Sequence, residues 1–252
     1  MKMSRGKRNV LFAGVLSYAM LFGIGNTMAY FTENSVQTNV FTTGDLDIGL
    51  KEPDWDPNEN DGKNMYPGYT VYKNPTVKNI TSDKNGDEPC YVRMSVDILN
   101  SQGTPITDDQ ALNLIYKTFT GGYDKKEGKA TGLIQDRIPG YNLAQLAAYP
   151  MVNPLWTKDT ARSTASKLVF NYMGAKGDGI LNIGEESTLF TNIAIPTDWN
   201  QTQMQKVGNY QLKVTAQAIQ SKGFATQSEA YRMLDEEIKG GTLQEINRGS
   251  EN

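Results

Sequence analysis

From Tyr91 to Ile98 the apolar residues Val92, Met94, Val96 and Ile98 alternate with Tyr91, Arg93, Ser95 and Asp97. The same period of two returns in Tyr210, Leu212, Val214, Ala216 and Ala218. Successive side chains of a strand point to opposite faces, so this spacing reads as half-buried strands. Leu46, Ile48 and Leu50, then Leu168, Phe170 and Tyr172, then Leu189, Thr191, Ile193 and Ile195 repeat it. Turn signals of Gly with Asn or Asp separate many of them: Lys84 to Asp87, Lys176 to Gly179, and Val207 to Asn209. Strands with one polar face and no regular alternation with helices predict two antiparallel sheets packed face to face, an all-β fold with minor helices. Leu46, Ile48, Val92, Met94, Val96, Leu212 and Val214 are the expected core.

Helical signals are local. Thr107 with Gln110 makes a capping box before Ala111, Leu112, Ile115 and Phe119, and Thr226 with Glu229 makes another before Ala230, Tyr231, Leu234 and Ile238. A third short helix fits Tyr141 to Tyr149, bracketed by Pro139 and Pro150. The stretch from about Gly103 to Lys167 reads as a partly helical insertion between strands, with a solvated loop over Gly121 to Thr131. There is no internal repeat, and the tail 241–252 is expected to be disordered.

Lys2, Arg5, Lys7 and Arg8 precede an apolar run from Val10 to Ile24 that contains no acidic residue. This is the shape of a secretory signal peptide over 1–29, with Thr27 and Ala29 as small residues before a cut between Ala29 and Tyr30. The competing reading is a membrane anchor, but a run this short falls below the ~20 residues of a spanning helix. The expectation is therefore a secreted product, in the extracellular matrix or at the cell surface, with no stable span after processing by signal peptidase. Its main domain would cover 30–240. Losing four basic and no acidic residues leaves 21 basic against 28 acidic, a charge of about −7. That sign disfavours nucleic acid and anionic membranes as partners.

The chain contains no His and one Cys. The first fact removes the Ser-His-Asp triad, the Cys-His pair and every His-containing zinc site. The second means that Cys90 cannot close a disulfide within the chain; it reads as a small buried hydrophobe at the start of a strand, with an intermolecular bridge as the alternative. Asp54, Asp56, Asn58, Asn60 and Asp61 offer hard oxygen ligands at spacings of two, which suits calcium. The EF-hand frame fails, because Glu59 stands where Gly is required and Met65 where Glu is required, and a solvated acidic loop competes. Asp83, Asn85, Asp87 and Glu88 have an ordinary turn composition. Glu185 and Glu186 are adjacent, so in a strand they point apart and form no acid/base pair. No catalytic residue and no cofactor site is assigned.

Several stretches together resemble the TasA/camelysin family, exported proteins that pass a dedicated signal peptidase and build biofilm-matrix fibres. They are Met28-Ala29-Tyr30-Phe31-Thr32, Phe41 through Ile48, Tyr66-Pro67-Gly68, Val77-Lys78-Asn79, Cys90 through Met94, and Gly208-Asn209-Tyr210 through Gln220. Their order and spacing carry the similarity more than any single piece. The resemblance implies a jelly-roll-like antiparallel β-sandwich, with the insertion and a short C-terminal helix added. It also implies that the residues after the cleavage site act as a donor strand entering the next subunit.

The residues permit that chemistry. Val36, Thr38 and Val40 face one way and Gln37, Asn39 and Phe41 the other, so Tyr30 to Phe41 can add to an open sheet edge through backbone hydrogen bonds. The competing reading is a first strand within its own sheet. The expected function is an exported structural fibre subunit, self-assembling or joining a related subunit. The alternatives are a camelysin-like secreted metalloprotease and a calcium-binding adhesive surface module. The resemblance names neither the acceptor groove nor the partner.

Overall fold

The computed structural model describes residues 39–41, 46–53, 55, 62, 65–81, 88–120, 152–153 and 155–240. Ala29, Tyr30, Val36 and Thr38, the calcium candidates Asp54, Asp56, Asn58, Asn60 and Asp61, the proposed helix over 141–149 and the tail 241–252 lie outside the described residues.

The architecture is set by two long strands, β5 (Cys90–Asn100) and β12 (Tyr210–Gln220), each eleven residues. They pair antiparallel along their full length, from Tyr210 opposite Asn100 to Gln220 opposite Cys90. On its other side β5 pairs with β8 (Lys167–Tyr172) and, at Cys90 and Tyr91, with the two-residue β9 (Ile180–Leu181). β7 (Trp156–Lys158) extends the sheet beyond β8, and β1 (Asn39–Phe41) closes its opposite side against β12. β1 runs parallel to β12; every other pairing in this sheet is antiparallel.

Two three-stranded antiparallel sheets complete the strand set. One is ordered β10 (Glu186–Thr188), β4 (Thr76–Asn79), β2 (Ile48–Lys51). The other is β3 (Thr70–Tyr72), β11 (Asn192–Ala194), β6 (Phe119–Thr120). One apolar core takes side chains from all three: Met94, Val96 and Val214 from the large sheet, Ile48 and Val77 from one small sheet, Phe119 and Ile193 from the other. The seven residues expected in the core are all buried. Each buried aliphatic side chain contributes about 1.5–3 kcal/mol of transfer free energy before ordering costs. The fold is thus mostly antiparallel β with three helices among the described residues.

The helices begin at chemically clear caps. α1 (Asp109–Tyr116) is capped by Asp108, whose carboxylate accepts from the backbone N–H of Gln110 and Ala111. The expected cap, Thr107, lies one residue too early, and Phe119 belongs to β6 rather than to the helix. α2 (Gln201–Val207) starts at Asn200 in a complete capping box with Gln203, a signal of the same kind that the sequence reading passed over. α3 (Gln227–Gly240) starts as expected after Thr226, whose hydroxyl accepts from Glu229 N–H. Within the stretch read as an insertion, the structure places α1, β6 and β7.

α3 lies on the second face of the large sheet. Ala230, Tyr231 and Leu234 pack there against Tyr91 and Ile219, forming a smaller apolar cluster. This changes the expected character of β5. Arg93, on the polar side of the alternation, is buried where Asp235 and Tyr231 of α3 meet it, and Ser95 is buried as well. Among the described residues no helix is long and apolar enough to cross a membrane.

Candidate functional site

The outer edge of β12 carries the one parallel pairing of the large sheet among the described residues. Its inner edge is fully paired with β5, whereas on the outer side β1 covers only Thr215–Gln217, through Asn39 opposite Thr215, Val40 opposite Ala216 and Phe41 opposite Gln217. An unpaired strand edge is a row of N–H and C=O groups able to accept another chain.

β2 lies against both β1 and β12. The chain that follows β2 returns to the start of β12, where Trp55, Val71, Lys73 and Ile193 join Tyr210 and Leu212 around a small apolar cavity of about 10 Å³. Lys73 is 1 % exposed, and its Nζ sits 2.9 and 3.0 Å from the two carboxylate oxygens of Glu52. The same ammonium lies 4.5 Å from the Trp55 ring centroid. A buried cation is tolerated when it is paired in this way, and the pair ties the end of β2 to the end of β3 beside the β12 edge.

The opposite face of the large sheet carries a second charged assembly. Arg93 Nη2 bonds Asp235 Oδ1 at 2.7 Å and Arg93 Nε donates to Gln217 Oε1 at 2.6 Å. Arg162 Nε reaches the other Asp235 oxygen at 2.7 Å, and its Nη1 reaches Asp159 at 2.9 Å. Asn171 donates to Asp159 as well. Partial burial pushes the Asp159 and Asp235 carboxyls up, but hydrogen bonds outweigh it and hold both below the usual carboxylate range: from Asn171 and Arg162 to Asp159, from Arg93 and Arg162 to Asp235. Through Asp235 the two arginines clamp α3 to the sheet, while Arg93 Nη1 and Asn171 Oδ1 remain buried without a hydrogen-bond partner among the described residues.

Cys90 opens β5 as a buried free thiol. Desolvation pushes its pKa up to about 12, so it stays protonated, and its Sγ donates to Leu181 C=O at 3.5 Å. Beside it, the Asn79 amide donates to Glu88 C=O and Leu181 C=O at 3.1 Å, and its Oδ1 accepts from both Thr81 N–H and Thr81 Oγ1. Asn79 is fully buried and fully used, which explains in structural terms why Asn ends β4.

Of the expected site residues, Val40 and Phe41 are placed on β1 along β12 of their own chain. Glu185 accepts from Asn182, and Glu186 opens β10. Sequence reading missed Glu52, Lys73 and the Arg93–Asp235 pair, because ion pairs between residues far apart in the chain leave no local pattern.

The family model described as camelysin metallo-endopeptidase matches residues 7–86. The match supports the TasA/camelysin family for this chain. It takes in the first four of the resembling stretches, while Cys90 through Met94 and Gly208 through Gln220 lie beyond it. No curated protein and no solved structure matches.

The camelysin description implies a catalytic metal, and the described residues do not fit one. The chain has no His, and among the described residues no three of Cys, Asp and Glu converge. The one thiol is held protonated inside the core, whereas a metal-ligating Cys must be a thiolate. No catalytic step follows from these groups.

Proposed function

We propose that this protein is an exported structural subunit of an extracellular matrix or cell-surface fibre, assembled by donation of its N-terminal strand. The observation that carries the reading is β1 itself: among the described residues, Asn39–Phe41 of the leading segment already adds as a parallel strand to β12. The same addition between two copies would link them. Backbone hydrogen bonds give the affinity, and alternate side chains entering pockets give the specificity. The alternation of Val36, Thr38 and Val40 supports the same reading.

The test is deletion of Tyr30 to Thr42 from the processed protein, followed by electron microscopy and size exclusion. The intact protein forms fibres and the truncated protein elutes as a monomer; fibres unchanged by the deletion contradict donation by this segment. Thr38→Pro is a milder probe, since it removes one backbone donor from the strand.

A further inference from the structure

Five side chains of the α3 clamp form an almost closed circuit of polar contacts. Arg93 on β5 reaches Asp235 on α3, Asp235 reaches Arg162, Arg162 reaches Asp159, and Asp159 accepts from Asn171 on β8. The two ends of this circuit, Arg93 and Asn171, stand directly opposite each other in the β5–β8 register. Opposite residues of an antiparallel pair project to the same face with Cβ atoms about 4.5–5.5 Å apart. Each end keeps one unused group. Arg93 Nη1 and Asn171 Oδ1 are buried and make no hydrogen bond among the described residues, to each other included. Arg93 as a whole is 5 % exposed.

The chemistry of the two ends fixes what can join them. A guanidinium nitrogen only donates and an amide oxygen only accepts. In the planar guanidinium, Nη1 lies on the opposite side from the Nε–H. That N–H is spent on Gln217 of β12, on one flank of β5, so Nη1 is turned toward β8 on the other flank. The Asn171 amide is held in one orientation, because turning it over would set its oxygen against the Asp159 carboxylate. The joining group must therefore accept from Arg93 and donate to Asn171. An anion accepts but would face the amide oxygen; a cation donates but would face the guanidinium. Water does both.

We infer that β5 and β8, beneath α3, hold a binding site for one water molecule, which accepts from Arg93 Nη1 and donates to Asn171 Oδ1. It is the sixth member of a ring that runs through Asp235, Arg162 and Asp159. Waters buried in this way satisfy polar groups that the protein leaves over, and they are costly to remove. Members of a hydrogen-bonded ring polarise one another, so closure strengthens the hold of both arginines on Asp235. The water thereby belongs to the docking of α3.

A high-resolution crystal structure of the protein, grown with bromide in place of chloride, tests the site. The expected result is a full peak about 2.7–3.2 Å from both atoms, with no anomalous signal at the bromine edge. An anomalous peak identifies an anion and overturns the inference. So does flat density at that position, or a direct bond between Arg93 Nη1 and Asn171 Oδ1. Asn171→Leu removes the acceptor and should lose the peak while Arg93 stays on Asp235; a peak that persists in this variant overturns the assignment to Asn171.

Discussion

Removing the Asp235 carboxylate should destabilise the protein more than removing the Arg93 guanidinium, although the two form one ion pair. Arg93 is 5 % exposed, and its charge meets Asp235, Gln217 and, at 5.5 Å, the Tyr231 ring. The Asp235 side chain is 28 % exposed and keeps Arg162 at 2.7 Å when Arg93 is gone. Breaking a buried pair costs about 3–5 kcal/mol when a charge is left uncompensated; partial solvent access at Asp235 reduces this to about 2–4 kcal/mol for Asp235→Ala. Arg93→Met keeps the apolar stem and leaves a carboxylate that still has a partner and water, so its cost is about 1–2 kcal/mol. The double variant should lose at least about 1 kcal/mol less than the sum, because the second change removes the charge that the first stranded. Urea unfolding followed by tryptophan fluorescence at pH 7 measures all three. Equal costs for the single variants, or an additive double variant, would refute the view that burial of Arg93 dominates this assembly.

Three further outcomes follow from the same geometry. Asp159 and Asp235 titrate below the ordinary carboxylate value of 3.8 in the folded protein, so their contribution is fully present above that value and is lost as pH falls through the lowered pKa values. The urea midpoint should stay level from pH 7 to about 5 and drop below about 4, with a smaller acid loss in Arg162→Met; an unchanged acid loss in that variant contradicts the assignment. Cys90 should resist iodoacetamide at pH 8 in the native protein and react fully in urea, and rapid native labelling would show that the start of β5 opens. Asn79→Ala strips hydrogen bonds from Glu88 C=O, Leu181 C=O and Thr81 and should cost about 2–4 kcal/mol in the same unfolding assay; a loss under about 1 kcal/mol would mean that water replaces the amide.

The two strands that organise the fold were legible because each sustains its alternation over eleven residues. What covers them was not. Arg93 carries the polarity of a solvent face, and it is buried against a helix more than a hundred residues later in the chain. The short strands β3, β4, β9 and β10 run two to four residues, too few for a period of two to stand out from loop composition. α2 had a readable Asn200–Gln203 box, but its seven residues hold only Met204 and Val207 as buried anchors. The cap of α1 moved from Thr107 to Asp108 because an aspartate, one residue closer, reaches the same N–H groups with a full charge. At the candidate site the alternation of Val36, Thr38 and Val40 was visible from the start, whereas the acceptor was not. An acceptor is a property of the assembled sheet, defined by how strands far apart in the chain come together. The Lys73–Glu52 pair beside it depends equally on tertiary placement.

The central claim is that the leading segment of one molecule adds as a strand to a neighbouring one. A cryo-electron microscopy reconstruction of the processed protein under assembling conditions examines it most directly. The account predicts a fibre in which Tyr30 to Phe41 of one subunit forms a strand in a sheet of the next. A fibre whose subunits keep that segment within their own sheet would contradict it.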